Sequence, residues 1–384
     1  MSTGETSLVI GLMVGTSLDG IDAGLVEFDA SGRPRLQEFL TIDFNEVSAG
    51  RLRDIASNEP TTAAELSELG FALARDHARA VRAVDPTGLA QLIGAHGVTL
   101  AHSPGGSGAH GWQLLNGAAL AAIIDCSVAC DFRSADIALG GQGAPLAPVV
   151  DLRLRMAPDE DRIILNLGGI ANFTAIWAGA VDISSIIGGD AGPANLILDA
   201  WMRRVSGGGQ PYDDGGQLAL RGHADETVVD EMMRDPWFCG PLPRSGGREQ
   251  FGEPWLDRFL DYCPASMDDA DRMATLVAIG ARAIAEQVEA FPPAWRRADR
   301  LHLLVTGGGR HNLAMLEGLR ARLPQALVDT IEAIGENGDA KEAVDFAWLA
   351  LQRYRGSAAE ISSVTGADHD TVAGALYQPR WTGP

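Results

Sequence analysis

A single lysine, Lys341, stands in the 384 residues of this chain. Its position fits neither the lysine of a Walker-type phosphate loop nor the strand lysine of a protein kinase, so both ammonium-based ways of holding nucleotide phosphates are excluded. Cysteine is scarce as well. Cys126, Cys130, Cys239 and Cys263 are too few and too scattered for a disulfide framework. No CxxC pair or histidine-rich spacing supports zinc, and buried free thiols are the expectation. Long apolar runs are absent, and no basic leader precedes the first strand-like segment. Neither a signal peptide nor a membrane span is expected, and the chain reads as cytoplasmic. Basic residues number 30 against 51 acidic ones, a formal net charge of -21. Such a surface repels nucleic acid and anionic lipid, so neither is expected as a partner. The positive charge is nearly all arginine, which suits bidentate contacts with carboxylates and phosphates.

What is present is a chain of ordinary globular composition, 46% hydrophobic and 21% charged, long enough for two domains or one large α/β unit. Val14-Gly15-Thr16-Ser17-Leu18-Asp19-Gly20-Ile21-Asp22 lies between apolar runs at 8–13 and 23–28 and reads as strand, polar turn, strand. Backbone amides and the Thr16 and Ser17 hydroxyls can cup a phosphate there, and Asp19 and Asp22 can hold magnesium through water. Residues 61–84 have helical periodicity, stopped by Asp85-Pro86-Thr87-Gly88. Strands are expected at 91–95 and 127–132, a helix at 116–124, and a Gly/Pro loop at 140–148 as a domain crossover. The opening pattern then returns: a strand at 162–167, a turn at 168–172 and a return strand at 173–177. A further buried strand at 301–306 runs into three glycines. Strands alternating with amphipathic helices argue for α/β, in two lobes around a central cleft. The expected division is 1–145 and 146–384, with the last helices packing back on the first lobe.

Several segments carry candidate chemistry. Gly188-Gly189-Asp190-Ala191-Gly192-Pro193-Ala194-Asn195 reads as a loop before a helix at 196–205, with Pro193 suited to the first helical position. Free N–H groups at a helix N-terminus favour an anion. Asp190 beside such a site is a general base, a metal ligand or simply a helix cap. Thr306-Gly307-Gly308-Gly309-Arg310-His311-Asn312 also joins a strand to a helix, at 313–323. It is either a close-approach turn for a flat ligand or a plain tight turn, and it does not fit GxGxxG. His96 and His102 sit at the end of a strand and are structural or catalytic. Arg133, between Asp131 and Asp136, is a local ion pair or the holder of an anionic substrate group. Pro243 to Glu249 reads as a polar loop with the same two readings. Glu342, in the first turn of a helix, complements the helix dipole or contacts substrate.

Taken in order, these segments resemble the anhydro-N-acetylmuramic acid kinases of the actin/hexokinase/Hsp70-like ATPase superfamily. The matches are residues 15–22, His96-Gly97, Asp131-Phe132-Arg133, residues 140–146, Asn166 to Asn172, Tyr212-Asp213, Gly247-Arg248-Glu249, Gly307-Gly308-Gly309, Glu342-Ala343 and residues 363–367. The resemblance implies a two-lobed actin-like ATPase fold with mixed sheets flanked by helices. It implies that Gly15, Thr16, Ser17, Leu18, Asp19, Gly20, Ile21 and Asp22 form a first phosphate loop. It also implies nucleotide contacts by Gly168, Gly169, Asn172, Gly192 and Asn195, and an adenosine-side turn at Gly307, Gly308, Gly309 and Asn312. His96, Arg133 and Glu342 would contact sugar, and Asp190 would be the catalytic base. The implied reaction takes 1,6-anhydro-N-acetylmuramic acid, ATP and water to N-acetylmuramic acid 6-phosphate and ADP, with Mg2+, in peptidoglycan recycling; the implied assembly is a homodimer. The chain departs from the family pattern at Val14, where serine is usual, at Val98, where glutamine is usual, at Ala191 and Ala194 in the second loop, and at Gly246, where threonine is usual. These departures keep open a kinase for another anhydro or amino sugar, and a nucleotide- and sugar-binding sensor without turnover.

Overall fold

The computed structural model describes residues 6–379 apart from 16, 17, 19, 57, 58, 241–243, 245, 293 and 294. Thr16, Ser17 and Asp19 of the first hairpin lie outside the described residues. The chain divides into two units, residues 1–154 with 340–384, and residues 155–339. The first unit holds β1 (Ser7–Met13), β2 (Gly20–Phe28), β3 (Pro34–Asp43), β4 (Leu92–Ala95), a separate hairpin of β5 (Val98–Ser103) and β6 (His110–Leu114), and β7 (Ser127–Cys130). The second holds β8 (Asp161–Leu167), β9 (Ile170–Ile176), β10 (Ile186–Pro193), β11 (Leu301–Thr306) and β12 (Ala326–Thr330), and the last strand, β13 (Ala375–Tyr377), belongs to the first unit again.

The two main sheets share one plan. Their orders are β3-β2-β1-β4-β7, extended by β13, and β10-β9-β8-β11-β12. In each, three strands form an antiparallel meander and two more run parallel to its first strand. This doubled order is the actin-like ATPase arrangement, and the recurrence of strand, glycine turn and strand in the sequence is its visible trace. The second turn is tighter than the sequence pattern predicts. Strand β9 starts at Ile170, which leaves Gly168 and Gly169 as the turn.

Local signals account for the flanking helices. Helix Ala63–Val84 starts with a capping box between Thr62 and Glu65 and buries Leu69, Leu73, Ala74, Val81 and Val84 against the first sheet's core. Helix Gly117–Ile124 is capped by the Asn116 side chain. In the second unit, Asp268 caps helix Asp269–Glu289, whose Leu276, Ile279 and Ile284 join Leu165, Leu303 and Val305 of the sheet in one apolar core.

Helix Lys341–Arg355 is seated on the first sheet through a row of small residues. Gly24, Gly11, Gly94 and Ala129 are register partners across β2, β1, β4 and β7. The helix backbone comes so close that a Cβ at Gly11 would lie 1.7 Å from the Ala343 carbonyl oxygen, and one at Gly94 would lie 2.2 Å from that of Phe346. Glycine is required at both positions for space. Gly11→Ala forces the helix outward, and overpacking of this kind costs about 3 kcal/mol. A denaturant titration should show that loss, and a midpoint equal to the parent's would refute the packing described.

The same helix explains the chain's one lysine. Lys341 is buried, with Nζ 2.9 Å from Asp151 and 2.8 Å from Asp345. It is a structural cation inside the first unit.

Candidate active site

The β8/β9 hairpin organises the second unit. Its turn carbonyls take up the first amides of helix Asn195–Val205: Ala194 and Leu196 donate to Gly169, and Asn195 donates to Gly168. The sequence reading left these amides open to an anion; the hairpin carbonyls occupy them instead. The Asn195 amide group also donates to the Leu167 carbonyl at 3.0 Å. Gly307 and Gly309 press against this hairpin. A Cβ at Gly307 would lie 2.3 Å from Asn166 Oδ1, and one at Gly309 would lie 2.5 Å from Leu167 Cβ. Gly307 also has φ +73°, which favours glycine. Gly308 is exposed and open on its Cα face, so of the three it is the one a ligand can approach. Asn312 is buried and caps helix Leu313–Arg322 by accepting from the Met315 amide. The structure thus gathers Gly168, Gly169, Asn195, Gly307, Gly308 and Gly309 at one end of β8.

Asp190 lies beside that cluster. Residues 186–193 form strand β10, not the loop the sequence suggests, and Pro193 ends the strand instead of opening the helix. Glycine and proline mark a turn by composition, but pairing with β9 overrides that preference. Asp190 is opposite Asn172, and the register slips between Asp190 and Gly192. A bulge re-aims the side chain it carries. Asp190 does not cap the helix, whose N-cap is Ala194 with no side-chain bond. Instead Oδ2 accepts the Gly246 N–H at 2.8 Å, while the Asp190 amide donates to the Arg244 carbonyl at 3.0 Å. Among the described residues Oδ1 accepts no hydrogen bond. Burial pushes the carboxyl pKa up, against the pull of the Gly246 amide and the Arg244 charge. A partly desolvated carboxylate with one tethered and one open oxygen is suited to take a proton.

The sheet register shows a polar row not evident from the sequence. Asp190, Asn172, Asn166 and Thr306 are cross-strand partners on β10, β9, β8 and β11. Partners opposite one another share a face. Asn166 is the addition here, and its signal was an amide side chain inside the otherwise apolar Ile163-Ile164-Leu165-Asn166-Leu167 run.

In the first unit, His96 and Arg133 follow the carboxyl ends of the parallel strands β4 and β7, the edge where α/β sheets place ligand sites. Arg133 makes no ion pair with its sequence neighbours. Asp131 accepts from Ser134, and Asp136 accepts from Gly143 and Thr365. The Arg133 guanidinium donates to His96 Nε2 at 3.2 Å and to the Gly143 carbonyl at 2.7 Å. His96 is buried, and burial together with the Arg133 charge drives its pKa down to about 3. It is therefore a neutral acceptor that orients Arg133. Burial lowers the Arg133 pKa, and the Glu342 carboxylate opposes that fall. Glu342 is one helical turn before Phe346, whose ring lies 4.8 Å from His96. Desolvation by the surrounding protein pushes its pKa up, with Asp345 and Asp22 adding to the rise. Asp22 accepts the Thr41 hydroxyl at 2.6 Å across the β2/β3 pair. His96, Arg133, Glu342 and Asp22 thus form one electrostatic group. His102, on β5, also feels that group: burial and then the Arg133 charge lower its pKa.

Four of the sequence departures point into the protein. Val14 and Val98 are 3% and 1% exposed in the first unit's core, and Ala191 and Ala194 are each 1% exposed in the second unit's core. Ala194 has φ -135°, so its methyl meets no left-handed strain. Cys126 and Cys130 are free thiols that burial pushes up to about 11 and about 12.

A model of the anhydro-N-acetylmuramic acid kinase family matches residues 7–379. Curated relatives with that name include one from Xanthomonas axonopodis pv. citri, 38% identical over 97% of this chain and 98% of its own length. Another, from Synechococcus elongatus, is 38% identical over 96% of this chain and 99% of its own length. A third, from Parasynechococcus marenigrum, is 39% identical over 97% of this chain and the whole of its own length. With near-complete coverage in both directions, and with the doubled sheet order and the Asp190 bulge in place, the chain belongs to the anhydro-N-acetylmuramic acid kinase family.

Proposed function

We propose that the chain converts 1,6-anhydro-N-acetylmuramic acid, ATP and water into N-acetylmuramic acid 6-phosphate and ADP, with Asp190 as the base. Family membership makes it an amino-sugar kinase of cell-wall recycling. The observation that carries the mechanism is the Asp190 carboxylate, held at a bulge with Oδ2 tethered and with Oδ1 accepting no hydrogen bond among the described residues. Asp190 takes a proton from water as the water oxygen bonds to the anomeric carbon. The bond from that carbon to O6 breaks, and O6 keeps the electron pair. O6 then attacks the γ-phosphorus, and ADP leaves. The charge of the phosphoryl group is met by backbone amides and hydroxyls, since Lys341 is held by Asp151 and Asp345.

Residue roles follow from chemistry. The Arg133 guanidinium, oriented by neutral His96, matches the substrate's lactyl carboxylate, and Glu342 can accept a sugar hydroxyl. Asp22 has the oxygen chemistry of a magnesium partner, directly or through water, and its neighbour Glu342 adds to the negative potential there. A magnesium ion held there would neutralise phosphate charge. Among the described residues no helix is long and apolar enough to cross a membrane; a cytoplasmic location belongs to the same proposal. A homodimer is part of the same reading.

Arg133→Gln should raise the KM for the sugar about 10- to 100-fold, the equivalent of a charge-assisted hydrogen bond of roughly 1.5–3 kcal/mol. The KM for ATP should move little. Equal effects on both would refute the sugar-side role. Turnover in 18O-labelled water tests the order of bonds: the label is expected on the anomeric oxygen of the product, and label confined to phosphate would mean plain ATP hydrolysis.

A further inference from the structure

We propose that Arg244 and Gly246 are positioning residues that lock the Asp190 carboxylate with Oδ1 as its reactive oxygen. This rests on Asp190 being the base.

The lock has two points. The Asp190 amide donates to the Arg244 carbonyl at 3.0 Å, and the Gly246 amide donates back to Asp190 Oδ2 at 2.8 Å. Together they hold both backbone and side chain of the bulged residue. The Arg244 side chain in turn fastens the segment. Its Nη1 donates to the Phe238 carbonyl at 2.6 Å, with the Trp237 and Gly240 carbonyls at 3.3 and 3.4 Å, and its Nε lies 3.4 Å from the Asp190 carbonyl. Its guanidinium carbon stacks 4.4 Å from the centroid of the Trp237 ring. Among the described residues its hydrogen-bond acceptors are neutral carbonyls, and its charge lowers the Asp190 pKa against the rise that burial causes. Glu286, on helix Asp269–Glu289, and Cys239 face the guanidinium from the other side.

Gly246 lies close against aromatic rings. A Cβ there would lie 3.0 Å from both Phe251 Cε2 and Trp237 Cζ2. Trp237 thus supports the lock twice, under Arg244 and against Gly246. A methyl at position 246 would make that aromatic pair, or the backbone that carries the amide, give by a few tenths of an ångström. Arg244 also lines a cavity of about 430 Å³ with Phe238, Cys239 and Glu286, which gives a small cation access to the guanidinium's place.

The test uses the full chain and four variants: Arg244→Gln, Arg244→Lys, Gly246→Ala and Asp190→Asn. Removing the Arg244 charge or the Gly246 bond removes a stabiliser of the ionised carboxylate. In Arg244→Gln and Gly246→Ala the acidic limb of the kcat–pH profile should move up by about one unit, with kcat on that limb down roughly tenfold. KM for ATP should stay within about twofold. Arg244→Lys, which keeps the charge, should return the limb toward the parent position. Guanidinium chloride at low millimolar concentration should recover part of the activity of Arg244→Gln through the cavity. Profiles that superimpose on the parent's, with Asp190→Asn inactive, would overturn the positioning role and leave the base in place. Near-parent turnover in Asp190→Asn would instead overturn the base. Should Arg244→Gln fail to fold, Gly246→Ala carries the same profile comparison.

Discussion

Asp190→Asn is expected to lower kcat on the order of 10³-fold, within the range that general-base catalysis contributes. The substitution keeps shape and keeps an acceptor for the Gly246 amide, so the loss is chemical. ATP affinity should change little, because the groups around the β8/β9 hairpin are untouched. The pH dependence has a definite sign. Burial raises the Asp190 pKa above that of an ordinary aspartate, and the base works only when ionised. Parent turnover should therefore be full well above the raised pKa and fall as pH drops through it. The asparagine variant should lack that limb. Steady-state rates across pH, with binding of an ATP analogue measured by calorimetry, check both parts. Turnover within tenfold of the parent would contradict the role.

Lys341→Met should destabilise the protein by about 3–5 kcal/mol, the usual cost of removing one partner from a buried ion pair. The lysine lies against Asp151 and Asp345, and its loss takes its positive charge away from two buried carboxylates. In a unit of this size that corresponds to a fall in Tm of roughly 10 °C. Lys341→Arg, which retains the charge, should lose less. The same pair separates structure from catalysis. Below its melting range, Lys341→Met should keep its KM for ATP, since the lysine is not a phosphate ligand. Scanning calorimetry gives the first quantity and steady-state kinetics the second. An unchanged Tm with a large rise in KM for ATP would show that the lysine meets phosphate after all.

Much of the frame was legible because it rests on local signals. The apolar runs of β1, β8 and β11 lead into glycine or polar residues, and the hairpins opened by β1 and β8 recur at corresponding places in the two sheets. Capping residues at Thr62 and Asn116 marked their helices. What was not legible depends on distant partners. Strand β3 is an edge strand of Arg, Gln, Glu and Thr among scattered apolar residues, without the continuous apolar run of β1. Strand β10 has a turn-like composition and becomes a strand through β9. The seat of helix Lys341–Arg355 depends on four small residues from four strands.

The candidate site divides in the same way. Asp190, Arg133 and Glu342 stand out as residue types beside glycine-rich or helix-start segments. Their settings do not. That His96 is a neutral acceptor for Arg133, that Gly246 tethers Asp190, and that the first amides of helix Asn195–Val205 are occupied by Gly168 and Gly169 are all consequences of tertiary contact. The departures at Val14, Val98, Ala191 and Ala194 looked like changes to ligand loops and are buried in the two cores.

The central claim is that phosphoryl transfer from ATP is coupled to opening of the anhydro sugar. Release of ADP, measured with and without 1,6-anhydro-N-acetylmuramic acid, tests it most directly. Sugar-dependent ADP, formed one for one with N-acetylmuramic acid 6-phosphate, is expected. ATP binding without sugar-dependent ADP would contradict it.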